Sequence, residues 1–144
     1  TLNDVQLDKI LRNCAHLQSL GVAGCHGLKG LAASLAGGGG VRLCTINLNF
    51  IRGLGCREIL AVARRFGGSL QVLRLARAPL DDSTLKGVLT ACPALRVLDI
   101  YHCRGVTMEA FRGFQTPCPH LKTVDGRGTK LDSFGWPANV AVSV

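Results

Sequence analysis

Leucine-class residues recur in this chain at nearly constant spacing. The pattern C-x2-L-x2-L-x-[IV]-x2-C is complete at 14–25 (CAHLQSLGVAGC) and at 92–103 (CPALRVLDIYHC), and three weaker copies accompany it. A single repeat of this length cannot bury its own apolar face, so the pattern predicts a stacked array of repeats. The leading leucines lie about 26 residues apart, at Leu17, Leu43, Leu70, Leu95 and Leu121.

The repeats also predict an α/β class of fold. Apolar residues alternate within each copy, as Leu98 and Ile100 do around Asp99, which indicates a strand with one buried face. Between these segments apolar residues lie three or four apart, which indicates helices. Capping residues mark helix starts at Asn3 or Asp4, at 81–83, and at Thr107 with Glu109. About five short parallel strands are expected, at 19–22, 45–48, 72–75, 97–100 and 123–126.

The two ends and one loop depart from the repeat. The first apolar residues predict a helix without a preceding strand, so we expect at least half a repeat upstream of Thr1. After Thr129 no further strand is expected, and Phe134 and Trp136 are predicted to cover the end of the core, with a ligand anchor as the alternative for Trp136. The glycine-rich segment 36–40 is predicted to be a loop, because the alternative, a phosphate cradle, lacks its Lys-Ser/Thr.

The cysteines indicate a reducing environment. Their number is odd, seven, and five occupy matching repeat positions, before the strand or after it. Such usage favours small buried thiols over disulfides. No C-x2-C pair occurs, so no zinc site is predicted. We expect an intracellular protein of the cytoplasm, nucleus or mitochondrion. The five matching cysteines are Cys14, Cys92 and Cys118 before the strand, and Cys25 and Cys103 after it.

The net charge of +8 leaves two interpretations open. Lysines and arginines are scattered across the repeats without a basic block, which favours an ordinary solvated surface. The alternative is a surface for an acidic partner, whether protein or RNA, with RNA less favoured. No apolar run is long enough for a membrane span.

The two complete motifs, followed by helix starts such as LDDSTL (80–85) and GVTMEAF (105–111), resemble the cysteine-containing leucine-rich repeats of F-box/leucine-rich-repeat proteins. The resemblance implies a leucine-rich-repeat solenoid, a horseshoe segment with helices on its convex side, over residues 1–130, with 131–144 as a C-terminal cap or tail. It further implies a protein-interaction module like the substrate-recognition repeats of ubiquitin ligase adaptors. Cullin-ligase components would be partners if an F-box lies upstream. Structural leucine-rich-repeat subunits of large intracellular or mitochondrial complexes are the alternative.

Outward side chains of stacked strands would form a grid on the concave sheet, and this grid is the predicted partner-binding surface. Tyr101 and Arg77 are favoured as anchors, because exposed Tyr and Arg often dominate interfaces. An ion ladder from Arg74 through Asp99 remains the structural alternative, as does a hydrogen-bonded asparagine row. The predicted partner-binding residues are Asn47, Asn49, Phe50, Arg74, Arg77, Asp99, Tyr101, His102, Asp125 and Arg127.

Catalysis is not predicted. His102 and Cys103 are adjacent on an extended segment, so their side chains should point to opposite faces rather than form a nucleophile and base. Asp81 and Asp82 are interpreted as helix-capping residues without a second carboxylate pair. We therefore expect no enzyme, no catalytic or metal-binding residues and no cofactor.

Overall fold

The computed structural model describes residues 1–36 and 40–144. Residues 37–39, most of the glycine-rich loop predicted at 36–40, lie outside the described residues. Within the described ranges, six strands form one open parallel sheet in which strand order equals chain order. They are β1 Ser19–Gly21, β2 Thr45–Asn47, β3 Val72–Arg74, β4 Val97–Asp99, β5 Thr123–Asp125 and β6 Ala141–Ser143.

One helix precedes β1, a helix follows each of β1 to β4, and successive helices pack on one another in chain order. The described ranges contain four α-helices and a short 3₁₀ helix: α1 Asp4–Asn13, α2 Leu31–Ala36, α3 Cys56–Phe66, α4 Asp82–Ala91 and the 3₁₀ helix Met108–Phe111. The capping predictions are confirmed, because side chains accept from first-turn amides at Asn3, Asp81 and Thr107. At Asp81 the bond from the Thr84 amide lowers the pKa of the carboxyl group. No helix of the described chain is long and apolar enough to cross a membrane.

The core is a layer of aliphatic side chains between sheet and helices. The central residue of each of the first five strands is buried, and its two neighbours are more exposed. Parallel pairing places these central residues side by side. We call them the core row: Leu20, Ile46, Leu73, Leu98 and Val124.

The five predicted strands are confirmed, each ending one residue earlier than expected. The expectation of no strand after Thr129 is wrong, because β6 pairs with β5. Backbone bonds hold β6, from the Gly126 amide to the Ser143 carbonyl at 2.7 Å and from the Ala141 amide to the Lys122 carbonyl at 2.8 Å. Valines alternate with other residues here, at Val140, Val142 and Val144, and Val140 is buried while Val142 is half-buried, so the sequence did carry a strand pattern that the prediction overlooked.

Of the two aromatic residues predicted to cover the end of the core, only Trp136 does so. Its ring centroid lies 4.7 Å from that of Phe111 and 6.0 Å from that of Phe114. The Trp136 Nε1–H donates to the Asp132 carbonyl at 2.8 Å, which fixes the ring over this cluster. Phe134 is 79% exposed, so the prediction is wrong for that residue. It follows a turn in which its amide donates to the Asp132 carboxylate, and the ring projects outward.

The cysteines are free thiols, and three of the five at matching positions are buried as predicted. Burial raises the pKa of the Cys92 and Cys103 thiols to about 12, and that of Cys118 to about 11. Cys25 is half-buried. Cys14 is exposed, so the prediction of a core thiol is wrong there. Cys14 ends α1 at the first edge of the described structure, where no earlier described element packs on it.

Candidate functional site

A turn with the same backbone conformation follows each of the first five strands. At equivalent positions φ is positive, between 56° and 76°. Parallel backbone bonding continues into these turns: the Arg77 amide donates to the Tyr101 carbonyl and the His102 amide to the Arg127 carbonyl, both at 2.8 Å. The residues therefore lie side by side, about 4.8 Å apart as neighbouring strands do. We call them the turn row: Gly24, Phe50, Arg77, His102 and Gly128.

The three central members of the turn row are strained. A side chain in the left-handed region meets the following carbonyl oxygen, which costs about 1 to 2 kcal/mol per residue. Glycine avoids this cost, as at Gly24 and Gly128, yet Phe50, Arg77 and His102 are bulky. Retained strain of this kind clusters at functional sites. The centre of the turn row is therefore the candidate functional site.

Aromatic and cationic side chains alternate across this centre. Phe50 is 47% exposed, and the Arg77 guanidinium carbon lies 5.6 Å from its ring centroid. The rings of Tyr101 and His102 meet edge to face at 4.3 Å. The Arg127 guanidinium carbon lies 5.4 Å from the Tyr101 ring centroid. Five of the ten predicted binding residues thus form a continuous exposed or half-exposed surface.

Two adjoining clefts border the turn row, and we call them the basic clefts. The first has a volume of about 630 Å³, and its lining includes His26, Phe50, Arg52 and Arg77. The second, of about 300 Å³, is lined by Arg77, His102 and Arg104. Arg77 belongs to both clefts and so joins them.

Three basic side chains that line these clefts were not among the predicted binding residues. His26, Arg52 and Arg104 each come two residues after a member of the turn row. Their common repeat position was therefore visible in the sequence. The predicted grid ended at the turn row itself, one short turn before these side chains.

Three of the predicted binding residues stabilise the turns themselves. Asn47, Asp99 and Asp125 each end a strand, and each accepts a hydrogen bond from the backbone amide two residues later, at 3.0, 3.0 and 3.3 Å. Such Asx turns reverse the chain at the strand end. These side chains consequently position the turn row.

Asn49 joins three neighbouring repeats by its side-chain amide. Its Oδ1 accepts from the Ala76 amide at 2.7 Å, and its Nδ2 donates to Asp99 Oδ2 at 3.2 Å. Ala76 is only 2% exposed, so its amide depends on this bond. A hydrogen-bonded network of side chains is therefore present here, although it runs from Asn49 to Asp99 rather than between asparagines of one row.

The ion ladder from Arg74 through Asp99 to Asp125 does not form. Strand register places the three residues side by side as expected. However, no ion pair involves Arg74 in the part of the chain that the structure describes. Asp99 is engaged by Asn49 and by the Tyr101 amide. Asp125 pairs with Arg127 at 2.7 Å, and hydrogen bonding from that guanidinium lowers the pKa of the Asp125 carboxyl group.

His102 and Cys103 face different environments, as their adjacency predicted. Cys103 is fully buried, and its Sγ–H donates to the Leu75 carbonyl at 3.2 Å. His102 is half-exposed in the turn row. Among residues 1–36 and 40–144, no group of three or more His, Cys, Asp or Glu is arranged to hold a metal ion.

Comparison with protein-family models and with curated proteins finds no match to this chain.

Proposed function

We propose that this chain is a leucine-rich-repeat solenoid segment that binds a protein partner through the turn row and the adjacent sheet surface. The single observation that supports this most is the strained, exposed centre of the row at Phe50, Arg77 and His102. Leucines about 26 residues apart and parallel strands in chain order agree with stacked repeats. Repeats of this kind contact only their neighbours and leave an extended surface for binding.

The composition of the surface favours a protein as its partner. Tyr and Arg are enriched among the few interface residues that contribute most of the binding free energy. Here Tyr101, Arg77 and Arg127 lie together with Phe50. The resemblance to F-box/leucine-rich-repeat proteins makes substrate capture for a ubiquitin ligase the first candidate. Cullin-ligase components would be further partners if an F-box lies upstream. Contact with RNA is the weaker proposal.

The double variant Tyr101→Ala with Arg77→Ala tests this function. Both side chains project from the surface, so their removal should weaken partner capture about tenfold or more, with a fall in Tm of only a few degrees. Capture from the native source is quantified by mass spectrometry. The pair Arg42→Ala with Arg96→Ala, exposed before strands β2 and β4, is the control and should capture normally. Undiminished capture by the first variant, or loss of its fold, contradicts the proposal.

A second candidate, a structural subunit of a large complex, is favoured by apolar exposure on α1. Val5 is 66% exposed and Ile10 36% exposed. A permanent interface would cover such side chains, whereas an exchangeable adaptor would not need them. Val5→Ser with Ile10→Ser should therefore release a structural subunit from its complex during size-exclusion chromatography. An adaptor that binds by the turn row should keep its partner after the same change.

A further inference from the structure

The basic clefts carry positive charge that the described structure does not neutralise. Three arginines line them, Arg52, Arg77 and Arg104, together with His26 and His102, and no Asp or Glu lines either cleft in the described chain. None of the three guanidinium groups forms an ion pair or a hydrogen bond within residues 1–36 and 40–144. A guanidinium fork is shaped to bind a carboxylate through two parallel hydrogen bonds. The clefts thus lack their natural counter-charge.

Three carboxylates that follow β3, or end β4 and β5, are already engaged elsewhere. Asp81 accepts from the Thr84 amide at 2.7 Å as the cap of α4. Asp99 accepts from Asn49 and from the Tyr101 amide, and Asp125 is paired with Arg127. Internal rearrangement would have to break these bonds to supply a partner. The counter-charge is therefore expected from another molecule.

We infer that the basic clefts bind an acidic peptide segment of the partner, with carboxylates on Arg52, Arg77 and Arg104 and an apolar side chain against Phe50. This inference rests on the proposed protein-binding function. The three arginines follow β2, β3 and β4, so the outer two are separated by two strand spacings, or about 10 Å. Three residues of an extended peptide cover the same distance. A short acidic stretch laid across the strand ends can therefore reach all three guanidinium groups.

Phe50 favours a peptide over a single-stranded nucleic acid. Base recognition of that kind needs an open aromatic face on which a base can stack. At Phe50 the Arg77 guanidinium already lies 5.6 Å from the ring centroid. The exposed part of the Phe50 ring can pack against an aliphatic side chain of the peptide. A neighbouring carboxylate of the same peptide would then pair with Arg77.

Fluorescence anisotropy tests the inference on the full chain. The probe is a short labelled peptide in which three glutamates and a leucine alternate with glycine, so that an extended chain presents all four side chains on one face. The comparison probes are the same peptide with glutamine for glutamate and an oligouridylate RNA. The variant carries Arg52→Gln, Arg77→Gln and Arg104→Gln. The matched control carries Arg42→Gln, Arg96→Gln and Lys122→Gln, three exposed changes before the strands that remove the same charge.

The acidic peptide should bind the native chain and lose at least about tenfold in affinity with the cleft variant, because unpaired interfacial charges weaken binding strongly. The control should stay within about twofold, since its charges precede the strands while the clefts lie after the opposite strand ends. Equal loss in both variants, preference for the RNA, or no binding of the peptide overturns the inference. If the peptide result is negative while Tyr101→Ala with Arg77→Ala still abolishes partner capture, only the acidic specificity fails. If capture is also unaffected, the proposed function fails with it.

Discussion

The core row lies within the first five strands and the turn row lies just after the same strands, in the same order, but the two rows differ in the side chains they contain. Every member of the core row is a buried aliphatic residue. In the turn row the corresponding members are Gly24, Phe50, Arg77, His102 and Gly128, which share a backbone conformation and nothing else.

This difference separates the part of the repeat that specifies the fold from the part that is available for function. A buried position must be filled with an aliphatic side chain of suitable volume, so one core residue resembles the next. A turn position needs only a left-handed residue, for which glycine is the least costly choice. Three bulky residues at such positions increase the cost of the fold, and this indicates selection for something other than stability.

The largest contrast is expected in thiol reactivity, which compares the interior with the surface in one molecule. Cys103 is buried directly after His102 of the turn row, whereas Cys14 is exposed. Cys103 should be alkylated at least about a thousandfold more slowly than Cys14, because its thiol becomes accessible only after an unfolding step that costs on the order of 5 kcal/mol. Raising the pH to 9 should not close the gap, since burial raises the pKa of Cys103 to about 12. Mass spectrometry of pulse-alkylated native protein measures both rates, and similar rates would show that Cys103 is not in a packed core.

A change in the core row itself should have the next largest effect. Leu73→Ala leaves a cavity at a residue that is 1% exposed, and it should lower the free energy of unfolding by about 2 to 5 kcal/mol. The neighbouring exposed change Arg74→Ala is the control, with an expected effect within about 0.5 kcal/mol. Urea denaturation followed by circular dichroism gives both values. Equal effects would contradict the assignment of opposite faces.

Loss of the bridging amide should cost less than loss of a core side chain. Asn49→Ala leaves the buried Ala76 amide without its acceptor, and the free energy of unfolding should fall by about 1 to 3 kcal/mol. Asn139→Ala, at an exposed position near β6, is the control and should be nearly neutral. Hydrogen exchange at the Ala76 amide checks the mechanism, because this amide should lose protection. Unchanged protection there would show that Asn49 is not its essential partner.

The smallest expected effect, but the one most specific to the turn row, is whether a glycine substitution raises or lowers the free energy of unfolding. Arg77→Gly relieves a left-handed conformation and should leave the protein as stable as before or more stable by up to about 1 kcal/mol. Arg74→Gly, three residues earlier within β3, should instead destabilise by about 0.5 to 1 kcal/mol. Partner capture should fall with Arg77→Gly. A clear loss of stability in that variant would contradict the strain at the turn row.

Much of the fold could be predicted because the core row imposes a period on the sequence. Leu98 and Ile100 around Asp99 are sufficient to place a buried strand, and the same pattern recurs in four other repeats. β6 was missed although valines alternate at 140, 142 and 144, because this stretch lacks the leucine motif that marks the other five strands. Cys14 matches the motif but is exposed at the edge of the stack. The pattern within one repeat cannot predict whether another element packs on that repeat.

The central members of the turn row were predicted to be binding residues, but their geometry was not predicted, and His26, Arg52 and Arg104 of the basic clefts were missed. Phe50, Arg77 and His102 were expected on the surface from strand alternation. Their positive φ could not be inferred, because bulky residues rarely adopt it and only Gly24 and Gly128 hint at the turn. The ion ladder at Arg74 failed for a related reason. Asp99 and Asp125 bind neighbouring amides and Arg127, and such local contacts depend on turn geometry.

Site-specific photo-crosslinking in the native source tests most directly whether the turn row binds a partner. A photoreactive phenylalanine analogue replaces Phe50, and in a second preparation it replaces Arg64, an exposed residue of α3. Mass spectrometry should identify one protein crosslinked in good yield from position 50 and only weakly from position 64. Crosslinks from position 64 alone, or the same partner with equal yield from both, would contradict recognition by the turn row.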